Sequence, residues 1–215
     1  MGMTRAIIFD FDGVILESAG IKTKAFGRLF ESEYPDKVEA IVAYHLRNAG
    51  ISRYVKFDYI YEHILKKPLS TVERQGLGLK FSDIVFEEIL KAPFVPGALE
   101  FLQKNRNDFL LFVASGTPAE ELSRILDLRH IKDFFREAHG SPRKKQDVVA
   151  DILQRYALHK EDVVFVGDAE SDLSAAVETG VPFVARITPE SGTRLMECRA
   201  KISDLSELNT IIMQL

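Results

Sequence analysis

Ala6-Ile7-Ile8-Phe9-Asp10-Phe11-Asp12-Gly13-Val14 decides how the rest of the chain is read. Ala6 to Phe9 is short, apolar and rich in β-formers, which predicts a buried strand. In an extended chain side chains two apart point the same way, so Asp10 and Asp12 project together as the strand runs out. Two like charges this close need a cation or a shared proton. Gly13 permits a sharp departure of the backbone. At this point two solvated acids before a turn remain an equal reading.

The 215 residues allow one large domain or a core with a smaller insert, and 46% hydrophobic residues suffice for a sizeable core. With 28 Lys and Arg against 32 Asp and Glu, the net charge of -4 argues against a broad nucleic-acid surface. It leaves room for a small phosphorylated substrate, which needs only local cations. One cysteine, Cys198, rules out an internal disulfide and fits a reducing compartment. No histidine lies near it, so it reads as a filler rather than a nucleophile. No apolar run approaches the roughly 18 residues of a membrane span. Asp10 and Asp12 interrupt any signal-peptide core, and Ala6 stands where a myristoylation motif after Met1-Gly2 needs Ser or Thr. The expectation is a soluble, cytoplasmic protein that contacts neither nucleic acid nor membrane, as a monomer or weak homodimer.

After Asp12 the period changes. Ile21, Ala25, Leu29 and Phe30 recur at helical spacing, as do Val38, Ile41, Val42 and Leu46 before Gly50. Ser52 is placed to cap a third segment running to Leu65. Ser70 to Glu73 has the spacing of a capping box, with Gly76 and Gly78 expected to interrupt the helix that follows. No strand is expected between Glu17 and Ala92. From Pro96 strands and helices alternate: strands over Phe109–Ala114, Phe135–His139, Asp162–Val166 and Pro182–Ile187, helices between them, and a terminal helix within Ser206–Leu215. Continuous apolar strands alternating with helices predict an α/β fold with a doubly wound, Rossmann-like parallel sheet. The expected division is a core of residues 1–14 and 93–215, with an all-helical cap at 15–92. Val14–Ser18 and Lys91–Pro96 are the expected hinges.

Ligands of such sheets bind beyond the carboxyl ends of the strands. Three ends carry polar groups here: Asp10 and Asp12, Ser115, and Asp168. Phosphoryl transfer needs an oxygen nucleophile, groups that spread charge from the phosphoryl oxygens, and a proton for the leaving alcohol. Asp10, Asp168 and Asp172 offer carboxylate oxygens suited to Mg²⁺, although Asp172 equally suits a helix start. Ser115 and nearby amides can hold a phosphoryl oxygen. Lys144 and Lys145 open a helix, where cations are unfavourable unless an anion faces them.

Taken in order, these segments resemble the four motifs of the haloacid dehalogenase superfamily, phosphatase branch. Asp10-Phe11-Asp12-Gly13-Val14 resembles the first. Val113-Ala114-Ser115-Gly116 resembles the second, Gly140-Ser141-Pro142-Arg143-Lys144-Lys145 the lysine motif, and Gly167-Asp168-Ala169-Glu170-Ser171-Asp172 the fourth. The helical block resembles the cap of phosphoglycolate phosphatases and β-phosphoglucomutase. The resemblance implies a Mg²⁺-dependent phosphatase of a small phosphorylated metabolite, working through an aspartyl-phosphate. It implies Asp10 as nucleophile and metal ligand, and Asp12 as general acid and then base, its carbonyl also on the metal. Asp168 is implied as a metal ligand, Asp172 as a ligand or as a partner to the ligands, and Ser115, Gly116 and Lys145 as holders of the phosphoryl group, with Lys144 left open. Glu17 stands where the family has Asp. Arg53, in Gly50-Ile51-Ser52-Arg53, resembles part of a substrate loop in β-phosphoglucomutase and is expected to reach a second anionic group. His45, Arg47 and Lys56 are further cap candidates. The alternatives are a phosphomutase and a receiver-like phospho-accepting module.

Overall fold

A computed structural model describes residues 4–189 and 191–215; Met1-Gly2 lies outside them. Among these residues six parallel strands form one sheet: β1 (Ala6–Phe9), β2 (Leu110–Pro118), β3 (Glu137–Ser141), β4 (Val163–Gly167), β5 (Phe183–Arg186) and β6 (Lys201–Ile202). Their order is β3-β2-β1-β4-β5-β6, so β1 sits inside the sheet between β2 and β4. Ile8 is level with Phe112 on one side and Phe165 on the other. The order reverses at β1, which opens a crevice beyond the ends of β1, β2 and β4.

β1 explains why the sheet is covered twice. Ala6 and Ile8 join a cluster with Val149, Ile152 and Phe165. Ile7 and Phe9 join the opposite cluster with Phe101, Val113 and Ile125. All four β1 residues are fully buried, so the strand needs apolar side chains on both faces. Helices α7 (Lys145–Arg155) and α8 (Glu170–Thr179) supply the first layer; α5 (Ala98–Asn105) and α6 (Ala119–Leu128) contribute to the second.

Between β1 and β2 the chain is helical: α1 (Ala19–Glu31), α2 (Val38–Arg47), α3 (Arg53–Tyr59), a π-helical turn at Ile60–Leu65, and α4 (Thr71–Lys91). Phe26, Phe57 and Phe81 pack as its centre, with ring centroids 4.8 Å apart for Phe26 and Phe81. The Ser70 capping box forms: Ser70 N donates to Glu73 at 2.9 Å and Glu73 N to Ser70 Oγ at 3.2 Å. Ser52 precedes α3 but its side chain makes no capping bond.

The expected break at Gly76 and Gly78 does not occur; α4 runs through both. A glycine costs a helix about 1 kcal/mol, and the burial of Phe81, Val85 and Ile89 along α4 offsets it. Gly78 is where the Tyr54 ring packs against the helix. Two short elements escaped the sequence reading, β6 and α9 (Thr193–Met196), and the terminal helix α10 is confined to Leu208–Ile212. The two connections between block and sheet run side by side. Glu17 N donates to Pro93 O at 3.0 Å and Val95 N to Ile15 O at 3.1 Å.

Candidate active site

β1 ends at Phe9, yet Asp10 N still donates to Val166 O at 2.9 Å, which fixes Asp10 against β4. Its carboxylate, with those of Asp168 and Asp172, forms a group whose ligand oxygens lie within 4.8 Å of one another. Asp168 follows β4, and Asp172 lies in the first turn of α8. Lys145, the first residue of α7, places its ammonium 2.9 Å from Asp10 Oδ1 and 2.5 Å from Asp172 Oδ1. Asp172 Oδ2 also accepts the Ala169 amide at 3.1 Å, so this acid both starts its helix and faces the site.

The three carboxylates have one ammonium beside them, Lys145 pairing with Asp10 and Asp172 but not with Asp168, so ionising all three would leave two negative charges unbalanced in a buried place. Burial pushes the Asp10 carboxyl up to about 7; Lys145 opposes that, while Asp172 and Asp12 add to it. Burial raises Asp168 well above the usual carboxylate range, with Asp10 and Asp172 adding to it. Asp10 Oδ1 is buried and has no hydrogen bond of good geometry, the Lys145 ammonium lying near it but off the bonding direction. An all-oxygen set with two unbalanced charges fits a hard divalent cation.

Asp12 is set differently. Its carboxylate pairs with Lys22 of α1 and accepts hydrogen bonds from Ser18 Oγ at 2.6 Å and Thr117 Oγ1 at 2.8 Å. Lys22 also donates to Thr117 Oγ1 at 2.6 Å. Burial alone pushes this carboxyl up, but Lys22, Ser18 and Thr117 outweigh it and hold it below the usual range. Two acids two residues apart thus have opposite proton affinities.

β2 runs on to Pro118 instead of stopping at Ala114, so Ser115 is buried within the strand, where the pairing with β3 is irregular between Ala114 and Pro118, and its Oγ accepts the Thr117 amide at 3.1 Å. Gly116 lies directly beneath the cap: a Cβ there would come within 2.4 Å of the Gly50 carbonyl oxygen. Gly50, at φ +76°, faces Ser171 and the Lys145 ammonium. The loop after α2 therefore closes over the acids. Lys144 is the exposed residue before α7, while Lys145 is 6% exposed, so it is Lys145 that joins the carboxylates.

The cavity between cap and strand ends measures about 740 Å³. Asp10, Asp12, Asp168, Gly116 and Thr117 line its floor, and Lys22, His45, Arg53 and Lys56 line it from the cap. Arg53 was expected to be available to substrate. Its guanidinium instead binds Glu121 of α6 at 2.6 and 3.0 Å and Ser82 Oγ at 2.7 Å, so its donors tie the cap to the core. Glu17 lines the cavity and pairs with Arg186 at 2.6 Å. Cys198, half-buried, donates to Arg194 O and stands apart from the cavity lining.

The sequence reading passed over Lys22, Thr117, Glu121 and Arg186. Thr117 carried a signal, since two residues past Ser115 on an extended chain it shares that side. Lys22 carried a weaker one, a cation one helical turn before the buried Phe26.

Comparison with known proteins agrees with this geometry. The family model for haloacid dehalogenase-like hydrolases matches residues 4–180. A phosphorylated carbohydrates phosphatase from Thermotoga maritima is 29% identical over 183 residues, covering 82% of each chain. Phosphoglycolate phosphatase 1 from Pseudomonas aeruginosa is 22% identical over 198 residues, covering 83% of this chain and 68% of that one. The crystal structure of β-phosphoglucomutase from Clostridium difficile superposes with a TM-score of 0.76 at 18% identity, covering 99% of this chain and 98% of that one, a likeness of fold. On the extent of the matched model, together with the acids and lysine it gathers at the strand ends, this chain belongs to the haloacid dehalogenase-like hydrolases.

Proposed function

We propose that this phosphoric monoester hydrolase removes the phosphoryl group from a small phosphorylated metabolite, using Mg²⁺ and a covalent intermediate on Asp10. The observation that carries the reading is the convergence of Asp10, Lys145, Asp168 and Asp172 at one end of the sheet, beside a separately held Asp12. The relatives named for phosphorylated carbohydrates and for phosphoglycolate support this substrate class.

In the proposed reaction an Asp10 oxygen attacks phosphorus and the bond to the alcohol oxygen breaks. The alcohol takes its proton from Asp12. Asp12 then takes a proton from water as that water's oxygen attacks phosphorus, releasing orthophosphate and restoring Asp10. Lys145, Ser115 and the Gly116 amide hold the phosphoryl oxygens. Asp10, Asp168, Asp172 and the Asp12 carbonyl would hold Mg²⁺, which supplies positive charge against the phosphoryl oxygens. The Lys22-bound, ionised Asp12 corresponds to the state that accepts the proton from water. Residues 15–92 act as the lid, and its closure keeps other water out. The enzyme works in the cytoplasm on a free metabolite, as a monomer or weak homodimer.

Hydrolysis is preferred to mutase chemistry because Arg53, the residue that resembled a mutase's substrate loop, spends its donors on Glu121 and Ser82. The test is p-nitrophenyl phosphate hydrolysis with and without Mg²⁺, in the native chain and in Asp10→Asn. Mg²⁺-dependent release lost in the variant supports the reading. Full activity in Asp10→Asn defeats it.

A further inference from the structure

Four of the cations lining the catalytic cavity are buried or nearly so, and three of these have a carboxylate partner: Lys22 has Asp12, Arg53 has Glu121 and Arg186 has Glu17. The fourth is Lys56 on α3, only 3% exposed. Among the described residues no carboxylate pairs with it. Its polar contact is His45 Nδ1 at 3.0 Å, and its ammonium lies 5.4 Å from the centre of the Phe26 ring. The His45 ring itself packs on Phe26, with centroids 4.3 Å apart. A buried ammonium without a counter-charge is costly to a fold, whereas a methionine of similar length would fill the same space without that cost.

We propose that Lys56, positioned by His45, binds a second oxyanion of the substrate, so that the enzyme selects phosphomonoesters whose alcohol portion carries a carboxylate or another phosphate. The proposal rests on the phosphatase reading for the first anion and specifies the second. Burial, and after it the ammonium of Lys22, pushes Lys56 down to about 7, the condition of a cation short of negative charge. Burial and Lys56 hold His45 down at about 3, so its ring stays neutral and Nδ1 accepts from the ammonium. The histidine thereby orients the lysine without cancelling its charge. An entering carboxylate or phosphate would supply the missing charge in a place screened from water, where charge-assisted hydrogen bonds are strongest. The cavity, about 740 Å³, has room for both ends of a small metabolite.

The test is calorimetric binding, with Mg²⁺ present, of three inert phosphonates of matched length: phosphonoacetate, methylenediphosphonate and propylphosphonate. The native chain is expected to bind at least one of the two compounds that carry an anionic group at both ends about ten- to a hundred-fold tighter than propylphosphonate. Which of the two binds more tightly distinguishes carboxylate from phosphate. Lys56→Met is expected to lose that preference while unfolding at a temperature no lower than the native chain. If Lys56→Met does not fold, Lys56→Gln carries the same comparison. Equal binding of all three by the native chain, or a preference surviving in the variant, overturns the proposal. Absence of p-nitrophenyl phosphate hydrolysis would defeat the phosphatase reading instead, and the phosphonate contrast reads Lys56 independently of turnover.

Discussion

The ammonium of Lys22, on the first cap helix, is paired with the carboxylate of Asp12, just past the first strand. The pair makes the proton affinity of the acid depend on the cap being closed. In Lys22→Met, Asp12 loses its main counter-charge and binds its proton at higher pH. The expected result is a fall in kcat of about ten- to a hundred-fold, as Asp12 and its substrate-facing partners are no longer held in place, with the alkaline limb of the kcat/KM profile, which Asp12 sets as the proton donor, moved upward. An unmoved limb would show that Lys22 does not govern Asp12.

Asp10 is raised from 3.8 to about 7, mainly by burial. Between these values the folded chain keeps a proton that the unfolded chain releases, so metal-free stability falls as pH rises through that window. Asp10→Asn removes this dependence, amounting at most to about 1.4 kcal/mol per pH unit. Urea unfolding of both proteins at pH 5 and pH 8 in chelator reads the difference. Saturating Mg²⁺ is expected to raise the melting temperature of the native chain much more than that of the variant.

Gly50 holds the cap loop against the core at φ +76°, where a Cβ would meet Ser171 Oγ at 2.2 Å and the Lys145 ammonium at 3.2 Å. Gly50→Ala is expected to push the loop off the site and lower kcat by up to about a hundred-fold. The cost of the left-handed backbone is only about 1 kcal/mol of stability. Gly20→Ala is the control: Gly20 lies in α1, where an added methyl group would have nothing within 4 Å, and the variant is expected to gain a few tenths of a kcal/mol. Paired kinetics and thermal unfolding separate the two effects.

Arg53 and Glu121 form a buried ion pair between α3 and α6, with side-chain exposures of 4% and 8%. Removing one partner strands the other, at a cost of about 3 kcal/mol. Glu121→Leu or Arg53→Met alone should therefore destabilise more than the two together. A double-mutant cycle by urea unfolding checks this. If the single losses simply add, the pair does not hold cap to core.

Local pattern made much of this molecule legible. Ala6–Phe9 announced a doubly buried strand because four apolar residues leave no polar face. The Ser70 box fixed the start of α4 because its bonds span three residues. The acids at 10, 12, 168 and 172, with Lys145, stood out because strand ends are where a parallel sheet presents side chains to a ligand. What depended on packing was not visible. Glycines at 76 and 78 predicted a break, but α4 is held by what Phe81, Val85 and Ile89 bury at a distance.

Neighbouring residues alone specify the opening pair: a strand that ends in two acids able to project together. Packing of the whole chain made the two unlike. Asp10 faces two more carboxylates with one shared lysine, whereas Asp12 meets Lys22 and Thr117, brought from elements separated from it by 10 and 105 positions in the chain. Proton affinity and partner choice depend on burial and on charges gathered from distant segments, and those distances are set by the packed chain.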